Sequence, residues 1–245
     1  MILFLKITLT FVLAASFIWS QQLPAPVRPP TPPLTSAQLE AIPLTPPRKG
    51  KSVKRKLFDG TTLKGWQGHP TWWSVRDGVI VGKFNGKVPT TFLFTQDTYS
   101  DFRLTLASRM VKSENHAGVS FWGAPVVRGD NQWYTRGPLV VFPRPSMWSY
   151  TDAAGLSVYR PTTEKVTSQY EWVNVEILAQ GNRVRTAFNG VEVMEWREAD
   201  PARVQAGPIG IQLHAWTAPQ EVQYKDIVIE TFPKLDRLLT IGKKP

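Results

Sequence analysis

The chain has 245 residues and no cysteine, which excludes disulfides, a cysteine zinc site, a thiol nucleophile and a lipid-anchored N-terminal Cys. Its formal net charge of +10 comes from the ends, because residues 57–232 hold 17 basic and 17 acidic side chains. A neutral domain on basic tails lacks the electrostatic footprint of a nucleic-acid binder.

In chain order, residues 1–20 place Lys6 before an apolar run from Ile7 to Trp19, the pattern of a secretory signal peptide with cleavage expected after Ser20. The run falls short of the ~20 residues that span a bilayer, which favours cleavage over retention as an anchor. A secreted or periplasmic protein is the expectation. Residues 21–56 are rich in proline and then basic, through Arg48, Lys49, Lys51, Lys54, Arg55 and Lys56. They predict an extended, solvated linker with at most one helical turn at 36–42, open to contact with an anionic envelope surface. The globular domain is expected over 57–233, followed by a basic tail, 234–245.

Within the domain, Asp59-Gly60, Asp77-Gly78, Asn85-Gly86 and Asn189-Gly190 punctuate short β-rich runs. Phe102, Leu104 and Leu106 alternate with Arg103, Thr105 and Ala107. Val119 and Phe121 alternate with Ser120 and Trp122. Val173, Val175 and Ile177 form another run, and Val184 to Phe188 leads through a hairpin to Trp196. One turn of helix is expected within 198–204, and a last strand within 222–229. The pattern predicts an all-β antiparallel β-sandwich or barrel.

The stretch Gly207-Pro208-Ile209-Gly210-Ile211-Gln212-Leu213-His214-Ala215-Trp216 carries the most chemistry. Alternation puts Ile209, Ile211 and Leu213 on one face and Gln212, His214 and Trp216 on the other. The second face is either a ligand surface for a polar molecule with apolar ring faces, such as a sugar, or a decorated strand. Nine of the ten tryptophans lie in the domain. Trp66, Trp73, Trp172 and Trp196 adjoin turn signals and read as structural, whereas Trp122, Trp133, Trp148 and Trp216 are candidate stacking walls for carbohydrate.

The histidines His69, His116 and His214 show no metal-ligand spacing, so no metal or other cofactor is expected. His116 follows Asn115 in a polar loop and reads either as a substrate contact with Asn115 or as a loop residue without chemistry. No Gly-x-Ser-x-Gly elbow or phosphate loop occurs. A conventional glycosidase needs two carboxyl groups about 5–9 Å apart. No Glu-x-Asp-x-x-Glu string occurs, and Glu171 and Glu176 fall on opposite strand faces.

Six strings in order resemble one family. Leu57-Phe58-Asp59-Gly60-Thr61-Thr62-Leu63-Lys64-Gly65-Trp66 is similar to the opening of the 3-keto-disaccharide hydrolase domain. Residues 73–82, 115–119, 171–182, 188–190 and 207–214 continue the resemblance across 57–232. It implies a jelly-roll sandwich of the concanavalin A-like lectin/glucanase type, with ligand on the concave sheet. It also implies action on glycosides oxidised to a ketone at C3, where one base removes the acidified C2 proton, the C1 substituent leaves and water adds to the product.

On that reading His214 is the base, Arg109 and Gln212 are donors to the enolate, and Trp216 and Trp122 are walls. Arg109 reads equally as a surface residue ending its strand. The resemblance departs over 137–143, where Leu139 to Phe142 are apolar in place of polar residues, and at Trp122, where arginine is common. Tyr150 and Asp152 are candidates to restore polar contacts. A carbohydrate partner is expected, through either a hydrolase acting on 3-keto-glycosides or a non-catalytic carbohydrate-binding module on the same face.

Overall fold

A computed structural model describes residues 35–86, 89–112, 114–129, 131–144, 146–149, 166–215 and 218–239, with the backbone alone for residues 36 and 146–149. In chain order the first elements are α1 (Ser36–Glu40), β1 (Val53–Lys56), β2 (Trp66–Gln67), β3 (Trp73–Arg76), β4 (Val79–Phe84), β5 (Thr91–Tyr99) and β6 (Phe102–Lys112). Next come β7 (Ala117–Ser120), β8 (Pro125–Arg128), β9 (Gln132–Thr135), β10 (Pro138–Phe142) and β11 (Ser146–Ser149). The chain continues through β12 (Val173–Gln180), β13 (Arg183–Phe188), β14 (Val191–Arg197), a 3-10 turn (Pro201–Arg203), β15 (Gly207–Leu213) and β16 (Gln220–Thr231). The expected helical turns near 36–42 and 198–204 are both present.

An eight-stranded sheet runs β14-β13-β12-β6-β16-β4-β3, with β1 also paired to β16. A six-stranded sheet runs β11-β10-β7-β15-β5-β2, and β8 and β9 form a separate hairpin. The two sheets pack through one large core. Leu104, Leu106, Val175, Ile177 and Tyr224 come from the larger sheet; Leu93, Val119, Val140, Phe142, Ile209, Ile211 and Leu213 come from the smaller. Alternation along β7, β10 and β15 therefore fixes which side chains turn away from that core. Tyr224, fully buried, donates its hydroxyl to the Gln212 carbonyl at 2.5 Å and joins the sheets from inside.

Local chemistry explains the opening motif. The Asp59 carboxylate accepts the Thr61 and Thr62 backbone N–H groups at 2.7 and 2.6 Å, while Gly60 takes φ 87°. This is an Asx-type turn, and the Thr62 hydroxyl, donated to Asp59 at 2.6 Å, together with those backbone groups holds Asp59 well below the usual carboxylate range. Trp66, Trp73 and Trp196 are buried in the core, as expected for structural tryptophans.

Residues 21–34 of the expected linker lie outside the described residues, but residues 35–56 depart from a solvated linker by contacting the domain. Leu39 is buried, and Asn182 clamps the arm by accepting Thr45 N–H at 2.8 Å and donating to Pro43 O at 3.0 Å. Arg48 pairs with the buried carboxylate of Asp101 at 3.1 Å, and β1 adds a strand to β16. Gly181, at φ 57°, lies against the Thr45 carbonyl where a Cβ would collide. Proline and positive charge mark an extended chain, but they do not reveal that a groove holds it.

Candidate functional site

β15 is buried along its whole length, so its two faces meet different surroundings. Ile209, Ile211 and Leu213 enter the main core, as expected. Gln212 faces away from it, is fully buried, and has no hydrogen-bond partner for either amide atom among the described residues. Ser120, on the adjacent β7, faces the same way and its buried hydroxyl is likewise unpartnered. Burying such groups unpaired costs about 1–3 kcal/mol each, a condition shared by Ser108, Thr186 and Gln220 of the other sheet.

The same face carries the histidines. Ala117 and Val119 enter the core, so His116 turns the opposite way, beside His214 across the strand pair. Their ring centroids lie 3.9 Å apart, with the planes inclined by 51°. Asn115 Nδ2 lies 2.9 Å from His214 Nδ1 and donates to Ala215 O at 3.3 Å, while Asn115 Oδ1 accepts the His116 N–H at 2.9 Å. Gln169 donates to the Asn115 carbonyl at 2.6 Å. Thr90 Oγ1 accepts Ala215 N–H at 3.0 Å, and Gln132 donates to Thr90 O at 2.8 Å. Loops from four parts of the chain thus lock the pair at one end of the six-stranded sheet.

Burial disfavours the charged form of both imidazoles. Burial, and then the neighbouring His214, push His116 down to about 3. Burial lowers His214 too, against the opposing pull of the Ala215 carbonyl. Two rings in van der Waals contact cannot both charge cheaply in a half-buried site. A neutral pair can accept a proton from a carbon acid and donate a hydrogen bond to the oxygen that gains charge.

The apolar strand that breaks the sequence resemblance also finds its explanation here. Leu139 and Val141 face away from the main core and join Phe92 and Phe94 in a second buried cluster. The β8–β9 hairpin covers it. Trp133 packs on Phe94 with centroids 6.4 Å apart, and Tyr134 meets Phe92 edge-on at 5.9 Å. A Cβ at Gly210 would run into the Phe94 ring and Ser120 Oγ. Apolar residues on β10 therefore build a floor for the hairpin beside the histidines.

The sequence-predicted site residues separate accordingly. His214, Gln212, His116 and Asn115 share one end or face of the six-stranded sheet, and Trp133 borders it, half-buried with Nε1 donating to Asn131 Oδ1 at 2.9 Å. Arg109 does not join them. It lies on β6 of the other sheet, faces away from the core, donates to Gln223 at 2.9 Å and stacks over Trp172 at 4.8 Å. Trp122 is also corrected. Its backbone turns to φ 55° and sends the indole into the core, 3% exposed, with Nε1 donating to Ser100 O at 2.6 Å. Trp216, Tyr150 and Asp152 lie outside the described residues, as does the side chain of Trp148, whose backbone pairs with Leu139.

Sequence reasoning underweighted His116 and missed Gln132, Gln169 and Thr90. The signal for His116 was available: alternation back from Val119 places it on the same side of β7 as Ser120. A cavity of about 140 Å³ lies elsewhere, on the outer face of the eight-stranded sheet between Asn174, Glu176, Asp226 and Leu239. Its lining includes Thr105 and the carboxylates Glu176 and Asp226 but no histidine.

Comparison with known proteins decides the family. The profile of the 3-keto-alpha-glucoside-1,2-lyase-like domain matches residues 54–230. The chain belongs to that family. None of the curated proteins matches it. Among solved structures, a candidate glycosyl hydrolase of Parabacteroides distasonis ATCC 8503 superposes with TM-score 0.53 at 19% identity, over 74% of this chain and 94% of that one. A Bacillus subtilis protein of unknown function with a galectin-like fold gives 0.54 at 13% identity, over 76% and 98%. A carbohydrate-binding module of Bacillus subtilis gives 0.50 at 14% identity, over 68% and 96%. The 3-keto-alpha-glucoside-1,2-lyase-like domain of this chain is therefore a jelly-roll sandwich, as the sequence predicts.

Proposed function

We propose that this chain cleaves glycosides carrying a ketone at C3 of the sugar, by C2 proton abstraction, loss of the C1 substituent and hydration of the product. The observation that carries the reading is the half-buried His116–His214 pair, with ring centroids 3.9 Å apart, on the same side as the unpartnered Gln212 amide. A ketone makes the neighbouring C–H acidic, so the chemistry asks for one base and donors to the enolate rather than two carboxylates. Neutral imidazoles and a buried amide supply that set. The family description, 3-keto-alpha-glucoside-1,2-lyase-like domain, supports this reading.

Residues 1–20 support an exported enzyme that meets its glycoside outside the cytoplasm. Incubating the protein with 3-keto-trehalose and 3-keto-lactose tests the activity. The expected result is release of the C1 substituent with transient absorbance of an unsaturated ketone. A second reading, a carbohydrate-binding module, draws support from the closed apolar cluster of Phe92, Phe94, Leu139 and Val141 on the face where ligand was expected. Saturable binding of these sugars without turnover would replace the enzyme reading with that one.

A further inference from the structure

The sequence assigns the base to His214, but the hydrogen bonds around that ring divide the work differently. The orientation of the Asn115 amide is fixed from both ends. Its Oδ1 receives the His116 backbone N–H at 2.9 Å, and its Nδ2 faces the Ala215 carbonyl at 3.3 Å. A backbone N–H can only donate and a carbonyl can only accept, so the amide cannot be turned over without breaking both contacts. The Asn115 Nδ2 group therefore presents its second hydrogen to His214 Nδ1 at 2.9 Å. A nitrogen that accepts a hydrogen bond carries the lone pair, so the neutral ring holds its proton on Nε2.

We infer that Asn115 is a positioning residue that holds His214 in the Nε2–H tautomer, so that His214 donates to the substrate ketone while His116 takes the C2 proton. The inference rests on the keto-glycoside reading for its substrate, and on hydrogen-bond geometry alone for the tautomer. The lone pair of His214 is engaged by Asn115, so proton abstraction by that ring would first have to break the contact. No hydrogen bond from the described residues engages the ring of His116, which lies 3.9 Å from its partner on the same face.

The electrons balance without a co-reactant other than water. The C2–H bond breaks and its proton passes to a ring nitrogen of His116, whose proton affinity, lowered by burial in the free protein, rises beside the negative charge that develops on the enolate. Its electron pair forms the C2–C3 double bond of an enolate, whose oxygen accepts the His214 Nε2–H. The ketone then reforms, a C1–C2 double bond appears and the C1–O bond breaks with its electrons on the leaving oxygen. That oxygen takes a proton from water as His116 releases one to solvent.

Long-range nitrogen-15 correlation spectra of histidine-labelled full-length protein read the tautomer directly, with His214→Gln assigning the resonances. The expected spectrum shows His214 protonated at Nε2 in the wild type and at Nδ1 in Asn115→Asp, because a carboxylate accepts where the amide donated. Turnover of a 3-keto-glucoside by Asn115→Asp should fall roughly 10²- to 10⁴-fold in kcat with a much smaller change in KM, the range spanned by loss of an oxyanion donor and a wrong tautomer. In deuterated water, His116→Gln should abolish exchange of the C2 hydrogen, and His214→Gln should slow it without abolishing it.

A wild-type ring protonated at Nδ1 overturns the inference, as does Asn115→Asp with unchanged kcat, or C2 exchange that survives in His116→Gln. The tautomer is read on the wild-type protein, and His69→Gln and His116→Gln assign the His214 resonance by elimination if His214→Gln misfolds, so one misfolded mutant does not shelter the idea. An Nε2–H ring in a protein that turns over no keto-glycoside would instead remove the proposed substrate and leave the tautomer standing.

Discussion

The two outward faces of the sandwich treat buried polar groups differently. On the eight-stranded sheet, Arg103 is buried between Glu176 at 2.9 Å and Glu230 at 3.1 Å, and Arg183 and Arg197 share Glu195. The segment after β16 closes over this network. Arg103 donates to the carbonyls of Leu235 and Arg237, Glu176 accepts Leu239 N–H at 2.8 Å, and Arg185 pairs with Asp236. On the six-stranded sheet, the Gln212 amide and Ser120 hydroxyl are buried with nothing to bond among the described residues. The eight-stranded sheet joins its outward charges into an ion-pair network, although Arg183 Nε and Arg185 Nε have no partner among the described residues. The six-stranded sheet has no such network among the described residues around Gln212 and Ser120, which lie on the same side as the two histidines.

That contrast can be broken most forcefully at Arg103. Arg103→Met leaves Glu176 buried without its cation and should destabilise the fold by about 3–5 kcal/mol, measured by urea unfolding. Replacing both residues with apolar ones should recover most of the loss. Turnover per folded molecule should hold throughout, since this network lies on the opposite sheet from the histidines.

The next test uses pH. The folded-state pKa of His116 is depressed from 6.5 to about 3, so below about pH 6.5 the unfolded chain binds a proton that the folded chain refuses. Stability should therefore fall as pH drops from about 6.5 to about 5, before ordinary carboxylates titrate. In His116→Gln that slope should flatten in thermal melts. An unchanged slope would mean that His116 is not held neutral by burial.

A smaller effect of opposite sign is expected at Gln212. Gln212→Met removes an unsatisfied amide from an apolar neighbourhood and should raise stability by about 1 kcal/mol. The same change should lower kcat/KM for a keto-glycoside by about 10-fold or more, as loss of a donor to the enolate. A variant that gains stability and keeps its activity would make Gln212 a structural accident. The smallest effect belongs to Arg109→Ala, which should leave kcat and KM as they are, because Arg109 stacks on Trp172 across the sandwich from the site.

Much of this was legible in the sequence. The alternation of Ile209, Ile211 and Leu213 against Gln212 and His214 predicts the two faces of β15, and both are observed. The alternation of Leu104 and Leu106 against Arg103 and Thr105 likewise puts Arg109 on the outer side of β6. It does not tell which sheet β6 joins, and that choice removes Arg109 from the site. Trp122 fails for a different reason: a left-handed backbone at its position ends the alternation and turns the indole inward.

The sequence by itself determined the all-β class, the neutral domain between basic ends, the family and the residues carried by β15. These follow from local periodicity, composition and strings of neighbouring residues. Only the tertiary structure decided that His116 meets His214, that Asn115 sets the hydrogen bonding of that ring, and that the arm before residue 57 is clamped by Asn182 and Asp101. Each of those contacts joins residues far apart in the chain through strand order and register. Alternation along one strand fixes which way a side chain points, and the neighbouring strand fixes what it meets.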